Sequence, residues 1–110
     1  DIAMGDVRDF RNFMGAVIDQ RAFDRITGHI AEARTTARVI AGGGSDASRG
    51  YFVQPTLIET DNPALRQLCE EIFGPVVTAY VYDDARWGET LSLVNTTSPY
   101  ALTGAVFAQD

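Results

Sequence analysis

The stretch CEEIFGPVV, residues 69–77, sets two carboxylates, Glu70 and Glu71, beside an aromatic, Phe73, and the pair Gly74-Pro75. Neighbouring side chains of an extended segment point to opposite sides, so one carboxylate can face the protein and the other solvent. A carboxylate accepts hydrogen bonds from vicinal hydroxyls such as those of a ribose diol. A ring two residues further on projects to the same side and can cover a flat heterocycle. Gly74 frees the backbone where Pro75 fixes φ, so the loop can hold a set shape. A charged turn ahead of a strand accounts for the same residues with no ligand at all, since carboxylates belong mostly on surfaces.

Other residues with chemical potential reduce to simpler readings. Cys69 is the sole cysteine, and a catalytic thiol needs a base or a dipole to form thiolate. Glu70 and Glu71 beside it act the other way, so Cys69 reads as a small packing residue. His29 is the sole histidine, with Arg25 and Glu32 at i−4 and i+3, and reads as part of a solvated ion network. No second histidine or cysteine pair stands at metal-ligand spacing, and no metal site is expected. In AGGGSDA, Gly42, Gly44 and Ala47 match a dinucleotide fingerprint, G-x-G-x-x-A. That fingerprint needs a helix opening at the glycines, and the segment runs instead into Gly50 and the extended YFVQP, so it reads as a turn.

The elements that must position these residues follow from periodicity. Residues 1–18 read as an irregular lead-in. Asp19 can cap a helix with Phe23, Ile26, Ile30 and Ala33 on its apolar face and Ala22, Arg25, His29 and Glu32 on a solvated one. RVI (38–40) is a short strand, and YFVQPTLIE (51–59) is extended with Pro55 at an edge or a break. Residues 64–68 form one weak helical turn. VVTAYVY (76–82) is the strongest strand, apolar on both faces, and wants a helix on each. Asp83 or Asp84 can cap a second helix with Trp87, Leu91 and Val94 as its stripe. LTGAVFA (102–108) is a final strand, which with 76–82 and the second helix would make a βαβ crossover. The order implies an α/β fold, a layered sheet with flanking helices.

Composition bounds the function. At 110 residues the chain is one domain or less, since domains most often hold about 100–150 residues. A net charge of −6 argues against nucleic acid and anionic membranes as partners. All 9 cationic residues are Arg, which excludes a lysine nucleophile or P-loop lysine within these residues. One cysteine fits a reducing compartment, and DIAMGDVRDF has no signal pattern, so a cytoplasmic setting is expected.

Three ordered blocks carry a resemblance. GYFVQPT (50–56), EEIFGPV (70–76) and NTTSPYALTGAVFAQD (95–110) are similar to the later part of the aldehyde dehydrogenase catalytic domain. FRNFMGAVIDQRAFDRI (10–26) and VYDD (81–84) most resemble its 1-pyrroline-5-carboxylate dehydrogenases, also called L-glutamate γ-semialdehyde dehydrogenases. The resemblance implies a partial catalytic domain over 1–110 from an NAD-dependent enzyme of proline catabolism. Such enzymes oxidise an aldehyde to a carboxylic acid. Glu71 matches the position that binds the nicotinamide-ribose hydroxyls, and Phe73 the one that packs at the nicotinamide. Glu70, Gly74 and Pro75 match loop-shaping positions.

The same resemblance implies what the 110 residues do not hold. Cys69 is not at the family's nucleophile position, and the general-base Glu and the NAD-binding domain are expected upstream. No catalytic residue is therefore expected here, and the chain alone is expected to be inactive. Tyr100-Ala101-Leu102 stands where the family usually has Tyr-Gly-Leu, which leaves the local turn open. Sheet edges that a full domain would cover favour self-association, and a homo-oligomer is expected. Another aldehyde dehydrogenase branch, or a stand-alone non-catalytic module of the same fold, remains as an alternative.

Overall fold

The computed structural model describes residues 2–100 and 102–109. Residues 2–19 hold no helix or strand, and a single bridge between Met4 and Met14 ties this lead-in to itself. Asp19 then starts the first helix, α1 (Gln20–Thr36), its side chain accepting from the Ala22 N–H at 2.7 Å. That bond satisfies a donor left without a partner at the helix start.

The buried face of α1 is Ala22, Ile26, His29, Ile30 and Ala33. Ile26, Ile30 and Ala33 match the periodicity, but Ala22 and His29 do not belong to a solvated face. The apolar stripe is wider than the narrow seam drawn through Phe23, because the helix packs on two elements at once. One cluster joins Ala22, Ile26 and Ile30 to Val53 and Ile72, and a second joins Ala33 to Ile58 and Leu65.

Beyond α1 come β1 (Arg38–Ala41), β2 (Ser45–Asp46), β3 (Phe52–Val53) and β4 (Thr56–Thr60). Pro55 separates β3 from β4, as its missing N–H requires. The glycine segment opens no helix: β2 pairs antiparallel with β3, and Gly42 stands at φ 71°. A Cβ on Gly42 would collide with the Pro55 carbonyl oxygen, so this glycine serves a close chain crossing.

Next are α2 (Arg66–Cys69), β5 (Val76–Tyr80), a 3₁₀ turn (Asp84–Arg86) and α3 (Trp87–Thr96). The main sheet has the order β1-β4-β5, with β1 antiparallel and β5 parallel to β4 from Thr56↔Val76 to Thr60↔Tyr80. Ile58, fully buried at the centre of β4, packs against α1. Burying one such side chain stabilises the fold by about 1.5–3 kcal/mol.

Two expectations fail in the last third. The parallel crossover runs from β4 through α2 to β5, not from β5 through α3. Residues 102–109 form no strand and are exposed throughout, since a strand needs a neighbour to complete its ladder and none pairs with them among the described residues. Trp87, Leu91 and Val94 do share a helical stripe, but all are exposed, and the buried residue of α3 is Thr90. Residue 101, where the resemblance left a turn open, lies outside the described residues.

Candidate functional site

The segment between α2 and β5 is fastened from several sides. The Glu70 N–H donates to the Arg66 carbonyl at 2.9 Å, ending α2. Ile72 is buried in the α1 core, and its carbonyl accepts from Arg25 Nη2 at 3.3 Å. A Cβ on Gly74 would lie 2.5 Å from Ile26 Cδ1, so only glycine lets the loop sit this close to α1. The Pro75 carbonyl accepts from the Thr56 N–H at 2.8 Å, which seats the loop at the start of the parallel pair.

Within this frame the two carboxylates part company, as alternation along an extended chain requires. Glu70 turns back to α2: Oε1 accepts from Arg66 Nε at 2.9 Å, and Oε2 lies 3.9 Å from His29 Nε2. Arg66 also donates through Nη1 to Glu32 at 2.9 Å. The Arg66 hydrogen bond holds the Glu70 carboxyl below its ordinary pKa, and Glu70 and Glu32 together hold the Arg66 guanidinium above its own. Glu71 is exposed and, among the described residues, makes no side-chain hydrogen bond or ion pair.

His29 departs most from expectation. It is 3% exposed, and its carbonyl accepts from the buried Gln67 amide at 3.0 Å. Burial and then the nearby Arg66 charge lower its pKa, so the imidazole is neutral near pH 7. Its Nδ1 has no partner among the described residues. It is a core residue under the loop, not a surface one. Cys69, read as a packing residue, is half-buried.

Phe73 is 83% exposed and stands at φ 49°, the left-handed region. An aromatic residue there is an outlier held at a cost of about 1–3 kcal/mol. The surroundings over-determine it, with Ile72 buried on one side and Gly74 packed on Ile26 on the other. Glu71 and Phe73 border one hollow of about 340 Å³, whose lining also includes Gln67, Leu68, Ile72 and Thr78. A larger cleft of about 910 Å³ opens near Gln54, Leu57 and Val77, and among the described residues no titratable group lines it. The acceptor and the flat ring therefore belong to the smaller hollow.

The sequence marked Glu71 and Phe73 and left out the residues that support them. Arg25 and His29, at i and i+4 on α1, share one face with Ile26 beside them. That spacing was a usable signal, but their polar neighbours made the face look solvated.

These elements make an α/β unit that presents one fixed loop with an acceptor and an exposed ring. The chain belongs to the aldehyde dehydrogenase family, whose sequence pattern matches residues 1–110. Among its relatives, the mitochondrial delta-1-pyrroline-5-carboxylate dehydrogenase of Danio rerio is 51% identical over 112 residues, covering 99% of this chain and 20% of that protein. The mitochondrial enzyme of the same name from Mus musculus is 49% identical, with the same coverage of 99% and 20%. The Mycobacterium tuberculosis delta-pyrroline-5-carboxylate dehydrogenase bound with NAD superposes with a TM-score of 0.86 at 42% identity, over 100% of this chain and 20% of that one. The chain thus spans about a fifth of the length of these relatives.

The cytoplasmic expectation is overturned by the names of these relatives, which place the zebrafish and mouse enzymes in mitochondria. A single cysteine and an acidic balance describe a redox setting and a surface, and neither carries an address.

Proposed function

We propose that these residues are part of the catalytic domain of an NAD-dependent dehydrogenase that oxidises L-glutamate γ-semialdehyde, the open form of 1-pyrroline-5-carboxylate, to L-glutamate in proline catabolism. The relatives' names supply the substrate. The observation that carries the site is Phe73, an exposed ring held at φ 49° beside the exposed carboxylate of Glu71. A strained aromatic that the fold holds out in solvent points to a ligand it serves.

NAD fits these residues. Glu71 offers acceptors to the nicotinamide-ribose hydroxyls, and Phe73 offers a face to the flat ring. When bound, the dinucleotide supplies the hydride acceptor. This chain's part is to orient it, and orientation is a large share of what such an enzyme contributes. On this reading the nucleophilic Cys and the NAD-binding domain come from sequence outside the 110 residues, and the assembled protein is a homo-oligomer. Exposed Trp87, Leu91 and Val94 are consistent with further contacts of that kind.

The test uses the full-length protein that carries these residues, supplied with NAD and L-glutamate γ-semialdehyde. NADH should form, and both Glu71→Gln and Phe73→Ala should weaken the dependence on NAD. The 110-residue chain alone should form no NADH, and turnover by it would overturn the division of labour.

A further inference from the structure

The peptide joining Ile72 to Phe73 lies between the exposed residues Glu71 and Phe73. Its carbonyl oxygen takes the Arg25 Nη2 hydrogen bond across 47 positions of sequence. Turning this rigid peptide plane changes ψ of Ile72 and φ of Phe73 together. A donor on that carbonyl therefore acts directly on the dihedral that carries the strain. Among the described residues no other side chain donates to the backbone of residues 70–74. Ile26, the next residue of α1, closes the turn from the side of Gly74. One turn of α1 thus sets both ends of Phe73.

We propose that Arg25 is a positioning residue for the cofactor loop: it holds the 72–73 peptide so that Phe73 and Glu71 are preset before the dinucleotide arrives. This rests on the reading of Glu71 and Phe73 as cofactor contacts. Arg25 acts on the loop backbone and, among the described residues, is not part of the lining of the hollow that Glu71 and Phe73 border. Without it the loop spends part of its time in other conformations, and apparent NAD affinity falls by the fraction that stays competent. Turnover of bound enzyme holds, because NAD selects the competent loop.

The experiment compares variants of the full-length protein by NAD titration and by steady-state kinetics. Arg25→Gln should raise both Kd and KM for NAD about threefold to tenfold, the loss of one long charge-assisted bond from an exposed side chain, with little change in kcat. Arg25→Lys should recover part of the affinity through its single donor. Arg21→Gln, exposed on the same helix, removes the same charge and should change neither constant. An unchanged Kd in Arg25→Gln overturns the proposal, as does a fall in kcat at constant KM, which marks lost folded enzyme. Where Arg25→Gln does not accumulate, Arg25→Lys decides, and a Kd equal to that of the parent overturns it. If Glu71→Gln and Phe73→Ala also leave the NAD constants unchanged, the cofactor reading itself has failed.

Discussion

Two halves of this chain are built to different standards. From α1 through β4 to the 70–75 loop, apolar side chains close on one another, and Ile26, Ile58 and Val53 are sealed from water. From Val77 onward most of the same kinds of residue face outward, with Leu91 at 48% and Phe107 at 95% exposure. The first half can position a ligand because its packing leaves its loop few alternatives. The second half has the residues of a core, and among the described residues none of its apolar side chains is fully buried. Its apolar pattern makes physical sense as surface awaiting other parts of a larger protein, which accords with relatives about five times as long.

The contrast predicts unequal responses to the same truncation. Ile58→Ala should cost about 2–5 kcal/mol, since the fully buried site cannot collapse completely. Leu91→Ala should stay within about 0.5 kcal/mol in this chain, as for surface changes in general. Urea unfolding of both variants measures the difference. Similar losses would mean that α3 packs more tightly than its exposure indicates.

A second substitution probes the seam between loop and helix. Gly74→Ala places a methyl group 2.5 Å from Ile26 Cδ1, so the loop must shift or Ile26 must leave its rotamer. Overpacking of this kind costs about 1–3 kcal/mol. Ile26→Val in the same chain should return part of it, and additive losses would show that the two sites do not meet.

The third test is electrostatic. His29 is the only histidine, and burial lowers its folded pKa below the ordinary value. Above the unfolded pKa of about 6.5 both states are neutral there, and the stability from the buried imidazole is fully present. As pH falls below that value the unfolded chain takes up a proton that the folded one refuses, so stability declines, and the loss is complete once pH passes the folded pKa. Denaturation between pH 7 and pH 5 should show this slope, and His29→Phe should flatten it. A slope that survives in His29→Phe would assign it to carboxylates instead.

How far the sequence could be read follows the same division. The α1 cap, the break at Pro55, the strand read over 76–82 and found over 76–80, and the opposed carboxylates were all legible, because each rests on local chemistry. The burial of His29 was not: periodicity shows that a helix has a face, and contacts with α2 decide how wide that face is. The strand at 102–108 was read from composition alone, and composition cannot supply the neighbour a ladder requires. At the site, Glu71 and Phe73 came from a motif, while Arg25 needed the fold to bring it 47 positions along the chain.

The finest comparison sets the two aspartate caps side by side. Asp19 accepts from Ala22 N–H at 2.7 Å, and Asp83 accepts from Ala85 N–H at 2.9 Å, so the local bonds are nearly alike. What differs is what each helix is fastened to. The helix after Asp19 buries Ile26, Ile30 and Ala33, so loosening its first turn loosens the cooperative unit, and Asp19→Ala should lower global stability by about 1 kcal/mol. Asp83 caps the 3₁₀ turn that leads into α3, and α3, whose own N-cap Arg86 makes no side-chain cap bond, buries Thr90 alone among the described residues, so its opening is a local event. Asp83→Ala should therefore change global unfolding by only a few tenths of a kcal/mol while speeding amide exchange across 87–96. Equal global losses for the two caps would make α3 part of the same folding unit as α1, and the division between the halves would have to be redrawn.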